Sequence, residues 1–251
     1  MNISVVIPTF NARTKLEATL NSIRAQNFEA LEILVQDGAS TDDTTQWLAS
    51  QADVSWHSEP DAGVYDAMNK GIARARGRYL YFLGAGDTLL PNALEQMHLH
   101  LPAHDLGFVY GNVRFPDGQI FMGPTSALRL RKLNLCHQAI FYGREIFERL
   151  GNYNLRYPIL SDYAFNLRCF AAADIPKIYT GVTVANYEGG GLSTAVDAAF
   201  LQDRLQLIQA MGQPAAALSS LEARIPAGLK EWRYQTWARL RAHLKGSTKG
   251  T

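Results

Sequence analysis

Three aspartates follow apolar stretches of the chain, at points where buried strands of a parallel sheet would end. Asp37 follows residues 31–36, Asp61 lies one turn after a further short strand, and Asp87 follows residues 78–83 across the sequence GAG. Ligands of open α/β sheets bind just beyond the carboxyl ends of the strands. We therefore predict that all three carboxylates face one crevice. The glycine-rich loop should leave Asp87 exposed there, where it suits a divalent cation carrying a phosphorylated ligand.

Each of these acids also has an ordinary structural explanation. Asp-Gly, as at residues 37–38, is a common turn pair, and Asp61 can cap the helix that follows it. Three such acids at three successive strand ends favour a shared binding site over three unrelated turns.

The elements that must position these acids alternate between strand and helix. Apolar runs at residues 3–8, 31–36 and 54–57 are typical of buried parallel strands. Apolar residues at helical spacing in residues 15–26 and 65–75 predict amphipathic helices between and after them. This order predicts a doubly wound, mostly parallel sheet in the first half of the chain.

Beyond Asp87 the pattern is mixed. We predict helices at residues 92–101, 145–150, 163–171, 195–211 and 218–244, and strands at 108–113, 119–122, 139–142 and 178–186. The expected domains are a catalytic unit at 1–194, with halves at 1–90 and 91–194, and a helical extension at 195–251.

Composition narrows the class of protein. The 251 residues are 47% hydrophobic and carry a formal net charge of +1, so the chain can bury a core and has no global field for nucleic acid. The two cysteines lack metal-ligand spacing, and no apolar run reaches the ~20 residues of a membrane-spanning helix. The first residues do not form a signal peptide, so a cytoplasmic location is expected.

Four blocks of the sequence resemble the family 2 glycosyltransferases, which are inverting enzymes with a GT-A fold. The blocks are SVVIPTFNA at residues 4–12, VQDGASTDDT at 35–44, DAGVYDAMNKGIARARGRYLYFLGAGDT at 61–88 and SDYAFNLR at 161–168. The form of the third block is similar to members that build bacterial surface polysaccharides. The resemblance implies a Rossmann-like central sheet with flanking helices, a small second sheet and C-terminal helices.

The resemblance also implies roles for residues of the first half. Residues Pro8, Thr9 and Asn11 would line the base and ribose of a nucleotide-sugar donor, most simply a UDP-sugar. Asp37 would hydrogen-bond the base edge. Donor contacts would also come from Asp61, Asn69 and Lys70, although Lys70 is equally well explained as a solvated helix residue.

Asp87 would be the surviving acid of the family's Asp-x-Asp metal motif, whose first acid is replaced here by Ala85. One carboxylate can still hold Mn²⁺ or Mg²⁺ together with phosphate oxygens and water, because Mg²⁺ commonly uses few protein ligands. The departure predicts weak metal binding without the donor.

The second half supplies the candidate catalytic base. Inverting transfer needs a carboxylate that removes the proton of the acceptor hydroxyl as it attacks the anomeric carbon. The resemblance assigns this role to Asp162, at the start of a predicted helix, where it would face solvent and could also act as a helix cap. The His137-Gln138 pair is expected to border donor and acceptor, with a purely structural histidine as the alternative.

Residues 222–251 hold seven Lys and Arg against two Glu, together with two tryptophans. Such a stretch can lie on an anionic lipid surface, as would suit a lipid-linked saccharide acceptor at the inner face of a membrane. Packing on the catalytic unit or in a homodimer explains it equally well.

The leading hypothesis is a metal-dependent inverting glycosyltransferase that acts on a saccharide or lipid-linked saccharide. The replaced acid at Ala85 leaves open a nucleotide-sugar-binding protein without catalytic activity. A dinucleotide-dependent oxidoreductase is disfavoured, because Pro8-Thr9-Phe10 stands where G-x-G-x-x-G would follow the first strand.

Overall fold

The computed structural model describes residues 2–121, 123–189 and 197–211. The strands are β1 (Ile3–Thr9), β2 (Leu31–Asp37), β3 (Ser55–Ser58), β4 (Tyr79–Phe82), β5 (Thr88–Leu89), β6 (Phe108–Arg114), β7 (Ile120–Phe121), β8 (Ile140–Gly143) and β9 (Lys177–Asn186). The helices are α1 (Arg13–Arg24), α2 (Thr44–Leu48), α3 (Val64–Arg74), α4 (Ala93–His98), α5 (Ala127–Leu130), α6 (Arg144–Leu150), α7 (Ser161–Ala171) and α8 (Ala198–Gln209).

The first half of the sheet is parallel, as the alternation of strands and helices predicted. β3, β2, β1 and β4 are neighbours in that order, and all three pairings between them are parallel. Thr9 and Asp37 are register partners at the carboxyl ends of β1 and β2. The ends of these strands therefore lie side by side, which is the condition for a shared crevice.

Beyond β4 the sheet is mixed. β8 pairs antiparallel with both β4 and β6, β6 pairs parallel with β9, and β5 closes the far edge on β9. The expected small second sheet is therefore not separate in the described part of the chain. The ten-residue strand β9 is long enough to pair with both β6 and β5, and it joins β5 to the rest of the sheet.

Two apolar layers cover the sheet, because successive side chains of a strand point to opposite faces. Val5 and Ile7 pack on one face with the apolar stripe of α1, and Val6 packs on the other face with Tyr65 and Met68 of α3. α3 follows the loop that carries Asp61, so its burial fixes the start of the helix at the edge of the crevice.

The end of the described chain packs against the candidate base helix. Phe200 of α8 stacks on Tyr163 of α7 with ring centroids 5.0 Å apart. The buried carboxylate of Asp197 accepts hydrogen bonds from the backbone N–H groups of Ile159 and Leu160, directly before α7. The predicted helix at 218–244 and the basic, tryptophan-containing stretch lie outside the described residues. None of the helices described is long and apolar enough to cross a bilayer.

Candidate active site

Asp37 is the centre of a compact polar cluster at the end of β2. Its side chain is fully buried. Oδ1 accepts a hydrogen bond from the Ser40 hydroxyl (2.5 Å), and Oδ2 accepts bonds from the Ser40 N–H (2.9 Å) and the Ser58 hydroxyl (2.6 Å). Three donors satisfy this carboxylate within the protein itself, so the cluster is already organised without a ligand.

Asn11 joins the loop after β1 to this cluster. Its backbone has a φ of 47°, and its N–H donates to the Ser40 hydroxyl at 2.7 Å. Its side-chain oxygen accepts bonds from the N–H groups of Thr41 (2.8 Å) and Asp42 (3.3 Å). The structure therefore brings Asn11 and Asp37 together through Ser40.

Pro8 and Thr9 lie in the buried end of β1, and the exposed ring of Phe10 follows them. The Thr9 hydroxyl is buried and has no hydrogen-bond partner among the described residues. Phe10 is 59% exposed at the strand end beside the Asp37 cluster. An exposed aromatic face at this position can stack on a base.

Asp61 lies against the same cluster. A Cβ on Gly38 would come within 2.5 Å of Asp61 Oδ2, so the glycine that follows Asp37 makes room for the second acid. Asp61 Oδ1 also accepts the N–H of Gly63 at 2.8 Å, next to the start of α3. Asp61 thus makes the contact at the helix start that its ordinary structural explanation predicted. It also lies at the crevice.

Asn69 and Lys70 are engaged in contacts within the protein. Both polar groups of Asn69 bond the backbone of Tyr153, at 2.9 and 3.0 Å. Lys70 Nζ donates to the carbonyl of Pro60 at 2.7 Å and lies 3.5 Å from Asp66 and 3.6 Å from Glu59. In this state both side chains hold loops of the crevice in place.

Asp87 is buried, contrary to the expectation that a glycine-rich loop would leave it exposed; only 6% of its surface is accessible. Side chains from other elements cover it, which sequence order does not reveal. Oδ2 accepts a bond from Gln138 Nε2 at 2.8 Å, and Oδ1 accepts the N–H of Glu188 at 2.9 Å. Burial is the main cause that raises the pKa of the Asp87 carboxyl, and the nearby Glu188 carboxylate adds to it.

Glu188 is a second carboxylate at this position, and the sequence analysis missed it. Its side chain lies over Gly86, where a Cβ would come within 2.1 Å of Oε2, and Gly86 has a φ of 110° that favours glycine. Lys15 Nζ contacts the same oxygen at 2.9 Å. No sequence motif marks Glu188, because it follows β9, about a hundred residues after Asp87.

Asp162 lies in the first turn of α7. Only 7% of its surface is exposed, so the prediction that it faces solvent was wrong. Oδ1 accepts bonds from the Tyr65 hydroxyl (2.9 Å) and the N–H of Tyr163 (2.7 Å). Oδ2 accepts a bond from Asn134 Nδ2 (3.1 Å). The helix begins at Ser161, two residues earlier than a capping role for Asp162 requires, and the carboxylate binds side chains from distant elements.

The His137-Gln138 pair connects the two halves of the site. His137 Nδ1 lies 3.5 Å from Asp162 Oδ2, and the next residue, Gln138, donates to Asp87. The preceding thiol, Cys136, has its pKa raised by burial first and then by the carboxylates of Asp162 and Asp87, so it remains a thiol. Residues 136–138 thus lie between the candidate base and the candidate metal acid.

The donor set around Asp87 suits a divalent ion that is completed by a ligand. No group of three or more His, Cys, Asp and Glu side chains in the described ranges is arranged to hold a metal on its own. The space above Gly86 does admit a second carboxylate, that of Glu188, next to Asp87. Carboxylate oxygens are ligands that Mg²⁺ accepts, with phosphate oxygens and water in the remaining positions.

The sequence analysis did not predict several residues of the site, because their partners are distant in the sequence. Tyr65 and Asn134 contact Asp162 across sequence separations of 97 and 28 residues. Thr19 of α1 accepts the N–H of Gly86 and donates to the carbonyl of Asp87, both at 2.9 Å, which fixes the loop after β4. Tyr65 lies inside one of the four family blocks, which was the one available signal.

A sheet of this order, with acids at the carboxyl ends of its parallel strands and a further acid facing them, defines a glycosyltransferase of the GT-A fold. The family model for glycosyl transferase family 2 matches residues 4–162. The chain belongs to this family and is a glycosyltransferase.

Curated relatives extend over most of the chain. A PGL/p-HBAD biosynthesis glycosyltransferase of Mycobacterium bovis (strain BCG / Pasteur 1173P2) is 40% identical over 220 residues, which cover 83% of this chain and 86% of the relative. An uncharacterised glycosyltransferase of Mycobacterium tuberculosis (strain ATCC 25618 / H37Rv) is 35% identical over 179 residues, covering 66% and 68% of the two chains.

Solved structures are similar in fold. S. aureus TarS 1–349 in complex with UDP-GlcNAc has a TM-score of 0.69 at 17% identity, over 86% of this chain and 69% of that one. The mannosyltransferase PcManGT of Pyrobaculum calidifontis, in complex with GDP-Man and Mn²⁺, has a TM-score of 0.63 at 18% identity, over 100% of this chain and 88% of that one.

Proposed function

We propose that this glycosyltransferase transfers a sugar from a nucleotide-diphosphate donor to an acceptor hydroxyl with inversion at the anomeric carbon. Asp162 is the general base, and Asp87 with Glu188 faces the diphosphate. The observation that carries the proposal is the His137-Gln138 pair, whose neighbouring side chains contact Asp162 and Asp87. A base and a leaving-group site must lie on either side of the sugar, and this pair spans the distance between them.

The proposed donor is a UDP-sugar, bound with its base against Phe10 and the Asp37 cluster. The exposed ring of Phe10 and the unpartnered Thr9 hydroxyl support this location for the nucleoside. Because Asp37 is fully buried and already accepts three hydrogen bonds, it acts on the base edge through the partly exposed Ser40. UDP-GlcNAc in the TarS structure supports a UDP-sugar, and GDP-Man in the PcManGT structure supports a nucleotide-sugar donor in general.

The chemistry of the proposed step is a single displacement. The acceptor oxygen forms a bond to the anomeric carbon as the bond to the diphosphate oxygen breaks, and the acceptor proton passes to Asp162. Tyr65, Asn134 and the N–H of Tyr163 hold the carboxylate in place for this transfer. A divalent ion, Mn²⁺ or Mg²⁺, held by Asp87 and Glu188 would neutralise the negative charge that develops on the diphosphate.

The proposed acceptor is a saccharide or lipid-linked saccharide of bacterial glycolipid or polysaccharide synthesis. The 40% identical relative named for PGL/p-HBAD biosynthesis supports a glycolipid product. Contact of the C-terminal helices with a membrane and formation of a homodimer remain predictions, as does the division into domains at 1–194 and 195–251.

The test of this function is transfer by the wild-type protein and by Asp162→Asn, with product stereochemistry read by NMR. We expect a β-linked product from an α-linked donor, and a loss of turnover of about a hundred- to ten-thousandfold in the variant, which is the usual contribution of a positioned base. Asp174→Asn, an exposed acid beyond the same helix, is the control. Retention of the donor's anomeric configuration, or wild-type turnover in Asp162→Asn, would overturn the assignment.

A further inference from the structure

The hydroxyl of Tyr65 has two acceptors but only one proton. It lies 2.9 Å from Asp162 Oδ1 and 2.9 Å from the carbonyl oxygen of Ile159. A phenol donates a single hydrogen bond, so at any moment it serves one of the two. The ring is buried, and burial followed by the Asp162 carboxylate raises the pKa of the phenol well above its ordinary value. Tyr65 therefore remains a donor throughout the working pH range.

The protonation of Asp162 decides between these acceptors. A charged carboxylate attracts the O–H more strongly than a neutral carbonyl, because hydrogen bonds with an ionised partner are the stronger ones. When Asp162 takes the proton of the acceptor hydroxyl, that advantage disappears and the carbonyl of Ile159 is an equally close alternative. The exchange requires only rotation of the O–H bond.

Tyr65 also connects the two halves of the site. It lies in the first turn of α3, which begins directly after the Asp61–Gly63 turn on the donor side. Its ring packs against Tyr153 at 5.3 Å, and its hydroxyl ends at the base on α7. A shift of the donor loop would therefore reach Asp162 through one rigid side chain.

We propose that Tyr65 is a positioning residue that holds Asp162 as a carboxylate while it acts as base, and then donates to Ile159 once Asp162 has accepted the proton. The proposal rests on the proposed role of Asp162. No proton leaves Tyr65: the acceptor's proton moves to Asp162, and the Tyr65 O–H changes its partner only.

Other groups face the same carboxylate and must be considered in any pH measurement. The donors are Asn134 and the N–H of Tyr163, and His137 Nδ1 lies 3.5 Å away. The remaining titratable neighbours are Cys136, Tyr142 and Tyr153, which feel the charge of Asp162 and whose pKa values burial raises.

The test compares Tyr65→Phe with Tyr153→Phe in the full-length protein. Tyr153→Phe removes a buried hydroxyl from the same aromatic cluster, one whose side-chain neighbour is Tyr142 rather than Asp162. We expect Tyr65→Phe to lower kcat about ten- to hundredfold with donor KM within a factor of three, the loss expected for a hydrogen bond to a charged group. The acidic limb of its rate profile should move to higher pH, because the charged form of the base loses a donor. Equal kcat values and equal profiles in the two variants would overturn the proposal.

A second variant keeps the volume and the hydroxyl. Replacing Tyr65 by 3-fluorotyrosine makes the phenol a stronger donor, so the acidic limb should move to lower pH, opposite to Tyr65→Phe. Opposite shifts from the two changes at position 65 follow from the donor strength of its hydroxyl. Shifts of the same sign, or none, would refute the role of the hydroxyl. Wild-type turnover in Asp162→Asn would refute the role of Asp162 as the base. Loss of turnover in Asp162→Asn, together with wild-type kcat and pH profile in the Tyr65 variants, would refute only the role of Tyr65.

Discussion

The nucleotide side and the diphosphate side of the crevice differ in how completely the protein itself satisfies the central acid. Asp37 and Asp87 both follow buried strands, and both are buried. Asp37 accepts bonds from two hydroxyls and one N–H, whereas Asp87 has one amide side chain and one N–H, with the acid Glu188 beside it. Three donors satisfy Asp37, whereas Asp87 lies beside a second carboxylate, Glu188, which Lys15 contacts.

This difference suggests how a family 2 site can work with Ala85 in place of the first acid of the Asp-x-Asp motif. Under the proposed function, the preorganised nucleoside pocket would bind the donor first, and the donor would then bring phosphate oxygens to the site beside Asp87. The free energy of binding the nucleoside can in this way stabilise a metal site whose affinity for its ion is weak without the donor. Burial raises the pKa of the Asp87 carboxyl, so a cation bound beside it would favour its charged form.

The largest effect is expected from Asp37→Ala. The change leaves the donors on Ser40 and Ser58 unpaired in a buried cluster, and each unsatisfied buried group costs about 1–3 kcal/mol. We expect the free energy of unfolding, measured in urea, to fall by about 3 kcal/mol and nucleotide binding in calorimetry to be lost. Asp43→Ala, an exposed acid paired with Arg13, is the control. Wild-type stability in Asp37→Ala would show that the nucleotide side is not preorganised.

Asp87→Asn should lower transfer about a hundredfold yet leave the free protein as stable as the wild type or more stable at neutral pH. The folded pKa of Asp87 is raised above its ordinary value of 3.8, so the folded state binds more protons than the unfolded state within that window. Stability of the wild type therefore falls as pH rises from 3.8 through the raised pKa, and this component should vanish in the variant. Thermal melts from pH 3.5 to 7 measure it.

The control for Asp87→Asn is Glu95→Gln, at an exposed position on α4. A variant at Asp87 that is clearly less stable than the wild type at neutral pH would contradict the expectation that burying the charge of Asp87 costs stability in the free protein.

The smallest effect is expected from Ser58→Ala. It removes one of three donors to Asp37, so a loss of about 1 kcal/mol in unfolding free energy and a few-fold weaker nucleotide binding should follow. Ser50→Ala, whose hydroxyl bonds only the neighbouring turn, should change neither quantity. A loss of stability and of nucleotide binding as large as that of Asp37→Ala would mean that the Ser58 hydroxyl alone, and not the whole cluster, organises the nucleotide side.

Sequence reasoning predicted the parallel half of the fold well, because its order depends on local patterns. The strand at β1, the helix at α3 and the acids after β2 and β4 follow from periodicity and from turn residues within short windows. The register of Thr9 with Asp37 was not predicted, because parallel order alone does not fix which residues pair.

The burial of the acids was not predictable in this way, because it depends on contacts between distant elements. Asp87 is covered by Gln138 and Glu188, about 50 and 100 residues away, and Asp162 by Tyr65 from the donor half. No local pattern indicates such partners, so the predictions that Asp87 is exposed and that Asp162 faces solvent were wrong. The same reasoning overlooked Glu188 as the acid beside Asp87.

The most direct test of the account is the affinity for Mn²⁺ with and without UDP, measured by the loss of the free-ion EPR signal. We predict weak binding to the protein alone and binding at least tenfold tighter once UDP supplies phosphate oxygens, with the gain absent in Asp87→Asn. A panel with GDP and dTDP identifies the base that produces the gain. Equally tight Mn²⁺ binding without any nucleotide, or a full gain in Asp87→Asn, would contradict the proposed difference between the two sides of the crevice.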